Sequence, residues 1–215
     1  MIGNGRRAGM ALMALALMLA AGTAGAGDAK KLDKGLLEPA WFGPQVEFRT
    51  TDGIDYVWVK PGFSVKGKKL KVDAWGDPQL LGEDRDAKDS AKASELTELM
   101  PSRLRGALSA SLAGVAETSK DAGDIVVTGR IVDCNAGSKA AKFLVGMGAG
   151  AATATFDIKM VDKASGELVA AIHHRVVSGT SMSEIDDKVA KWLEQFGGEL
   201  KADLALAANG KVAKK

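Results

Sequence analysis

The stretch that decides the fold is Ala151–Ser178, AATATFDIKMVDKASGELVAAIHHRVVS. Two runs rich in β-branched and apolar residues flank the turn-forming sequence DKASG, which is the pattern of a β-hairpin. In the first run Phe156, Ile158 and Met160 alternate with polar residues. Because successive side chains of a strand point to opposite faces, this alternation predicts one buried and one solvated face.

Three further segments extend this hairpin into a sheet. Asp124–Asp133 has the same β-branched texture, and Tyr56–Val59 and Leu70–Trp75 carry shorter strand patterns. The segments 124–133, 151–162 and 167–178 are joined as neighbours along the chain. We therefore expect three long antiparallel strands within an antiparallel sheet of about five strands.

Two helices are predicted on one face of this sheet. Apolar residues recur at helical spacing from about residue 90 to 117, with Asp89 or Ser90 as the cap and a kink or restart at Pro101. A second helix is expected from Ser183, whose spacing to Asp186 resembles a capping box. The predicted fold class is α+β in the order β-β-α-β-β-β-α.

The chain is expected to contain one domain behind an export signal. Residues 1–26 combine a basic start, an apolar run that is too short to span a bilayer, and small residues at the end, so we expect cleavage after Ala26. The remaining expectations are an extended, partly docked arm over 27–50, a single α+β domain over 51–208 and a flexible basic tail over 209–215.

The charge balance and the cysteine content limit the classes of function that the chain is expected to have. The chain has 29 basic and 27 acidic residues, and the predicted signal carries two arginines and no acid, so the mature chain is balanced in charge. We therefore expect no nucleic acid as a partner. Cys134 is the only cysteine, so it forms no disulfide within the chain. Gly27, not a cysteine, directly follows the predicted cleavage point, so we expect no lipid attachment there.

The sequence predicts neither a catalytic nor a metal site. His173 and His174 are adjacent on a predicted strand, so their side chains point to opposite faces and cannot jointly hold a metal. Cys134 is expected to be a small buried thiol. We expect a non-enzymatic protein without a cofactor, and a hydrolase that uses Cys134 or the histidines is the remaining enzymatic hypothesis.

The segment 137–150, GSKAAKFLVGMGAG, is too long and too apolar for a simple hairpin loop. One interpretation is scaffold, in which the small residues allow a close backbone approach. The other is a loop that binds a partner protein or touches a membrane surface. Under this second interpretation the interaction residues are Lys139, Lys142, Phe143, Leu144, Gly146, Met147 and Gly148.

Residues 129–166 resemble a bacterial envelope family known as domain of unknown function 4410. The resemblance rests on Gly129-Arg130-Ile131-Val132-Asp133, on Gly137-Ser138, on the glycine-rich run from Val145 to Gly150, and on Val161-Asp162 before Gly166. It implies a small α+β module of the kind found in accessory envelope lipoproteins, which bind other proteins. Many relatives carry a lipid-acceptor cysteine that this chain lacks, so the resemblance does not extend to an outer-membrane anchor.

These observations together predict a periplasmic accessory module that binds an envelope protein, without a transmembrane anchor in the mature chain. Contact with a membrane surface is compatible with this prediction. The alternative is a periplasmic protein that binds a small molecule or glycan in a cleft near Trp58 and Trp75.

Overall fold

Six strands form one mixed sheet in the computed structural model, which describes residues 36–50, 54–82, 85–137, 151–177 and part of the segment 189–202. Their order across the sheet is β1-β6-β5-β4-β2-β3. The strands are β1 (Tyr56–Val59), β2 (Lys69–Val72), β3 (Glu117–Ser119), β4 (Ile125–Asn135), β5 (Thr153–Asp162) and β6 (Leu168–Val177). The helices with defined bounds are α1 (Pro39–Phe42) and α2 (Ala87–Ser111).

The three long strands are antiparallel neighbours, as the sequence predicts. β4 pairs with β5 from Ile125↔Asp162 to Asn135↔Thr153, and β5 pairs with β6 from Thr153↔Val177 onward. Asp162 closes the turn between β5 and β6, because its Oδ1 accepts hydrogen bonds from the backbone N–H groups of Ala164 and Ser165.

The α+β class is confirmed, and the prediction of an antiparallel sheet of about five strands is partly wrong, because the sheet has six strands and is mixed. β2 is parallel to both β3 and β4. The reason is that α2 crosses over between β2 and these strands, and a helical crossover returns the chain in the same direction. β3 has three polar residues, ETS, and so carries no apolar alternation that would reveal a strand.

Helix α2 begins earlier than predicted and continues through its proline. Asp86 is the N-cap: its Oδ1 accepts from the Asp89 backbone N–H at 2.8 Å, and the Asp89 side chain accepts in return from the Asp86 N–H. The cap is therefore Asp86 rather than Asp89 or Ser90. Pro101 lies inside the helix, where no restart is seen.

One face of the sheet packs against α2. Leu96, Met100, Leu104 and Leu108 of α2 are all at most 2% exposed and belong to one core with the apolar side chains of β4, β5 and β6. Val189 and Leu193 join this core from the helical positions described between 189 and 202. α2 and the helical positions that carry Val189 and Leu193 therefore cover one face, which we call the helix face.

The other face of the sheet is also buried, which corrects the prediction of a solvated face. Residues 36–50, the described part of the predicted arm, lie across it, and Phe42 of α1 is 4% exposed there. Phe42 forms a second cluster with Trp58, Leu168 and Ala171. We call this the arm face. The alternation predicts correctly which residues share a face, but not that the chain's own N-terminal segment covers the polar one.

Within the described residues, no helix is long and apolar enough to cross a membrane. The predicted signal at 1–26, the cap at Ser183 and the tail at 209–215 lie outside the described residues. Those parts of the domain division therefore stay predictions.

Candidate functional site

The arm face carries a row of polar residues, one from each of four neighbouring strands. The registers place Arg130 of β4 opposite Asp157 of β5, Asp157 opposite His173 of β6, and His173 opposite Tyr56 of β1. Arg130 is 5% exposed, and Asp157 and His173 are both fully buried. Such charges are stable in a protein interior only when they are paired.

Asp157 is the centre of this row. Its Oδ1 lies 2.6 Å from Nδ1 of His173, and its Oδ2 accepts from Nε of Arg130 at 2.8 Å. Because a carboxylate oxygen accepts, the Nδ1 of His173 carries the proton in this contact. Both carboxylate oxygens are therefore committed to partners on neighbouring strands, which fixes the positions of the arginine and the histidine.

Glu38 of the arm and Gln79 supply further hydrogen-bond acceptors to Arg130. Nη2 of Arg130 donates to Oε2 of Glu38 at 2.8 Å, and Nη1 donates to Oε1 of Gln79 at 2.7 Å. Above the guanidinium lies Trp41, whose ring centroid is 4.3 Å from Cζ of Arg130 and 3.7 Å from Nζ of Lys159. Burial and the positive charge of Arg130 hold the pKa of Lys159 below its ordinary value.

Edge-to-face aromatic contacts continue from the arm to the sheet. The ring centroids of Trp41 and Phe42 are 4.7 Å apart, those of Phe42 and Phe48 5.0 Å, and those of Phe48 and Tyr56 5.8 Å. The Tyr56 ring in turn lies 5.8 Å from that of His173. The arm therefore covers the ionic row with aromatic side chains.

This geometry favours a structural role for the titratable groups over a catalytic one. His173 has the carboxylate partner of a catalytic base, yet its side chain is fully buried. Cys134 belongs to the core on the helix face, and burial together with the charges of Asp89 and Asp133 raises its pKa to about 12. A thiol with this pKa is not ionised at neutral pH and is a poor nucleophile.

His174 does not share a site with His173. Nδ1 of His174 lies 3.1 Å from Oδ2 of Asp55, and the same carboxylate oxygen accepts from the backbone N–H of Arg175 at 2.8 Å. Burial raises the pKa of Asp55, but these hydrogen bonds outweigh it and leave the pKa below its ordinary value. Among the described residues no group of three or more His, Cys, Asp or Glu side chains is arranged to hold a metal.

The predicted interaction residues Lys139, Lys142, Phe143, Leu144, Gly146, Met147 and Gly148 lie outside the described residues. The chain that leads to them is held by the start of α2. Oδ1 of Asp89 accepts from the Ala136 N–H at 2.7 Å, and Nζ of Lys88 donates to the carbonyl of Gly137 at 2.6 Å. The capping box of α2 thus also fixes the last residues described before this segment.

The predicted cleft near Trp58 and Trp75 is wrong, because the two rings lie on opposite faces of the sheet. Trp58 belongs to the arm-face cluster, whereas Trp75 lies in the helix-face core with its ring 6.3 Å from that of Phe156. One pocket lined by described residues lies beside α2, with about 180 Å³ of empty space that includes open solvent. Small-molecule sites are typically about 300–1,000 Å³.

Arg130, Asp157 and Glu38 form the polar centre of the arm face, and none of them is among the predicted interaction residues. A signal was present: Asp157 lies on the polar side of β5, and Arg130 lies on the paired strand β4. An opposite charge on a neighbouring strand indicates a cross-strand ion pair. The register between the strands, which the sequence does not give, was needed to recognise it.

Comparison with known proteins identifies a family and finds solved structures that are distantly similar to this chain. A family model described as Domain of unknown function (DUF4410) matches residues 57–206. No curated protein matches the chain. Among solved structures, a PelC dodecamer from Paraburkholderia phytofirmans is similar with 12% identity and a TM-score of 0.45, covering 66% of this chain and 94% of that chain.

A second solved structure, protein XCC0632 from Xanthomonas campestris, is similar with 13% identity and a TM-score of 0.40, covering 71% of this chain and 92% of that chain. At these values the likeness gives no information about a ligand or a partner.

Proposed function

The chain belongs to the family described as Domain of unknown function (DUF4410), and from that starting point we propose that it is a non-enzymatic periplasmic module that binds another protein of the cell envelope. The observation that carries the proposal is the place of Gly137 and Ala151, the described residues that flank the apolar sequence 138–150. Gly137 follows β4 and accepts a hydrogen bond from Lys88, and Ala151 precedes β5. An apolar sequence between two anchored strand ends suits protein recognition.

One further feature supports this end of the sheet as a binding surface. Val177 is one of the large apolar side chains exposed on the described surface, at 45%. It pairs with Thr153, which in turn pairs with Asn135 just before the segment. The exposed valine and the ends of the apolar segment therefore lie at the same end of the sheet.

The polar groups of the protein interior support a non-enzymatic role. Asp157 and His173 are committed to each other, and the Cys134 thiol is buried with its pKa raised to about 12. We expect the thiol of the folded protein to be unreactive toward a disulfide reagent at pH 7 and to react after denaturation. Rapid reaction of the folded protein would favour the hydrolase hypothesis instead.

The proposal is tested by cross-linking a tagged full-length chain in living cells and identifying what co-purifies from the envelope. The test variant carries Phe143→Asp and Met147→Asp. The control carries Ala110→Asp and Ala164→Asp, which add the same charge at exposed positions away from the segment. We expect one dominant partner with the wild type and the control, and its loss with the test variant at an unchanged melting temperature.

Retention of every partner by the test variant would show that segment 138–150 is scaffold. Recovery of the wild-type chain as a monomer without any partner would contradict the proposal that it is an interaction module. N-terminal sequencing of the exported protein checks the compartment, since the proposal expects a mature chain that begins at Gly27.

A further inference from the structure

The arm is attached to the sheet mainly through side chains. From residue 38 to 46, the backbone hydrogen bonds within the described part of the chain stay inside the arm, as in Trp41 N–H to Glu38 O and Gly43 N–H to Pro39 O. Backbone pairing with the sheet begins at Arg49, which exchanges two hydrogen bonds with Val57. Release of 36–48 would therefore leave few backbone groups of the sheet unpaired.

The contacts that hold the arm are a specific set. Glu38 supplies a carboxylate to Arg130, Trp41 covers the two cations, and Phe42 packs in the arm-face cluster that contains Trp58. The Glu38 side chain is 47% exposed, so its ion pair is accessible to a competing carboxylate. Together these residues form a recognition motif, in which a carboxylate is followed three and four residues later by aromatic rings.

One cation of the arm face, Lys159, has no carboxylate in ion-pair contact among the described residues. Asp157 is shared between Arg130 and His173, and Glu38 is the arm's carboxylate on Arg130. Lys159 has the ring of Trp41 as its close partner. A segment that brings a carboxylate to Lys159 would supply an ion pair that the arm does not make.

We propose that the arm face is a docking surface for an extended acidic and aromatic segment of a partner protein, and that residues 36–48 are a strap that occupies this surface until the partner displaces it. This inference rests on the proposed function in that it assumes a protein partner. It assigns the partner's chemistry: a carboxylate for Arg130, a second acidic group for Lys159 and an aromatic ring for the position that Phe42 occupies.

The test uses a labelled peptide with the sequence of residues 36–49, LLEPAWFGPQVEFR, and the full mature chain. In the opened variant, Trp41→Ala and Phe42→Ala remove the strap's aromatic contacts. We expect fluorescence anisotropy to show binding to the opened variant at least about tenfold tighter than to the wild type, whose own strap competes. A control peptide with Glu38→Gln and Phe42→Ala should lose most of this affinity.

Three results would overturn the proposal. One is equal binding of both peptides, or no binding, to an opened variant that keeps the wild-type circular dichroism spectrum. Another is an opened variant that fails to fold, because a strap must be separable from the sheet. The third is a wild-type dimer in light scattering that disappears in the opened variant, because it would assign the face to arm exchange between two copies.

Failure here is distinguishable from failure of the proposed function. If the peptide does not bind while cells still yield a partner that depends on Phe143 and Met147, the strap proposal is wrong and the proposed interaction module is still supported. If the peptide binds but no partner is captured in cells, the docking chemistry stands and the envelope role does not.

Discussion

The two faces of the sheet are built from alternate residues of the same strands, yet they are closed in different ways. The helix face is apolar, with Phe156 and Ile158 packed under a helix whose inward side chains are almost fully buried. The arm face carries Arg130, Asp157 and His173 under a short aromatic segment. An apolar face must be buried for the fold to be stable. A polar face can also be buried when a neighbouring strand supplies the opposite charge.

The difference in composition implies a difference in permanence. Covering the helix face removes a large continuous apolar surface from water, which is the dominant favourable contribution to folding. On the arm face, the burial of charges offsets part of the gain from the aromatic contacts. We therefore expect the helix face to remain closed until global unfolding and the arm face to open at a lower free energy.

The largest expected effect comes from a matched pair of phenylalanines. Phe156→Ala on the helix face should lower the free energy of unfolding by about 3–5 kcal/mol, because it leaves a cavity in the core. Phe42→Ala on the arm face should cost only about 1–2 kcal/mol, because the loss is limited by the local opening of the arm. Urea denaturation measures both values, and equal losses would show that the faces unfold as one unit.

The ionic row provides the next comparison. Asp157→Asn should lower the free energy of unfolding by about 3 kcal/mol, because it leaves Arg130 and His173 without the carboxylate between them. Glu38→Gln changes the same arginine at a half-exposed contact and should cost under about 1 kcal/mol. If both variants cost the same, the buried carboxylate is not the centre of the row.

Substitutions at two glycines test how closely the helix face is packed. A Cβ at Gly129 would lie 2.5 Å from the Trp75 ring and 2.7 Å from the carbonyl of Asp157, so Gly129→Ala should destabilise the protein by about 1–3 kcal/mol. Gly106 in α2 has nothing within 4 Å of such an atom. Gly106→Ala should therefore stabilise the protein by about 0.5–1 kcal/mol in thermal or urea unfolding. Tolerance of Gly129→Ala would contradict the close packing of Trp75 on β4.

The smallest effect is a pH dependence at the end of β6. The pKa of Asp55 is lower in the folded protein than its ordinary value of 3.8, so its contribution to stability is present above that value and is lost as the pH falls through the folded pKa. Asp55→Asn should unfold earlier than the wild type at pH 7, and the offset should shrink below about pH 4. An offset that stays constant down to pH 3 would exclude this carboxylate as its source.

The sequence predicts the long strands well because their signal is local. Alternation in 151–162 and the turn at DKASG fix both the strands and the hairpin, and the structure confirms them. It fails for β3, because three polar residues at the sheet edge carry no pattern. It also fails for the parallel pairing of β2, because strand direction depends on the α2 crossover rather than on the residues of the strand.

The candidate site was harder to predict, since it depends on residues far apart in the chain. Glu38 and Arg130 are separated by 92 positions, and neither position has a local pattern that indicates the other. The polar side of β5 looks solvated when it is considered alone, because alternation does not reveal what covers a face. Trp41, Phe42 and Phe48 pack together on the arm face, but their sequence alone does not indicate which residues of the sheet they cover.

Native-state hydrogen exchange tests most directly the claim that the two faces differ in permanence. The mature chain is exchanged at increasing urea concentrations and the amides are resolved by NMR. We predict that the Trp41 and Gly43 N–H groups, whose acceptors lie within the arm, exchange through a local opening with a small denaturant dependence. The amides that pair β4 with β5 should exchange through global unfolding. If both sets share one free energy and one denaturant dependence, the arm is an integral part of the core and the account of two different faces is wrong.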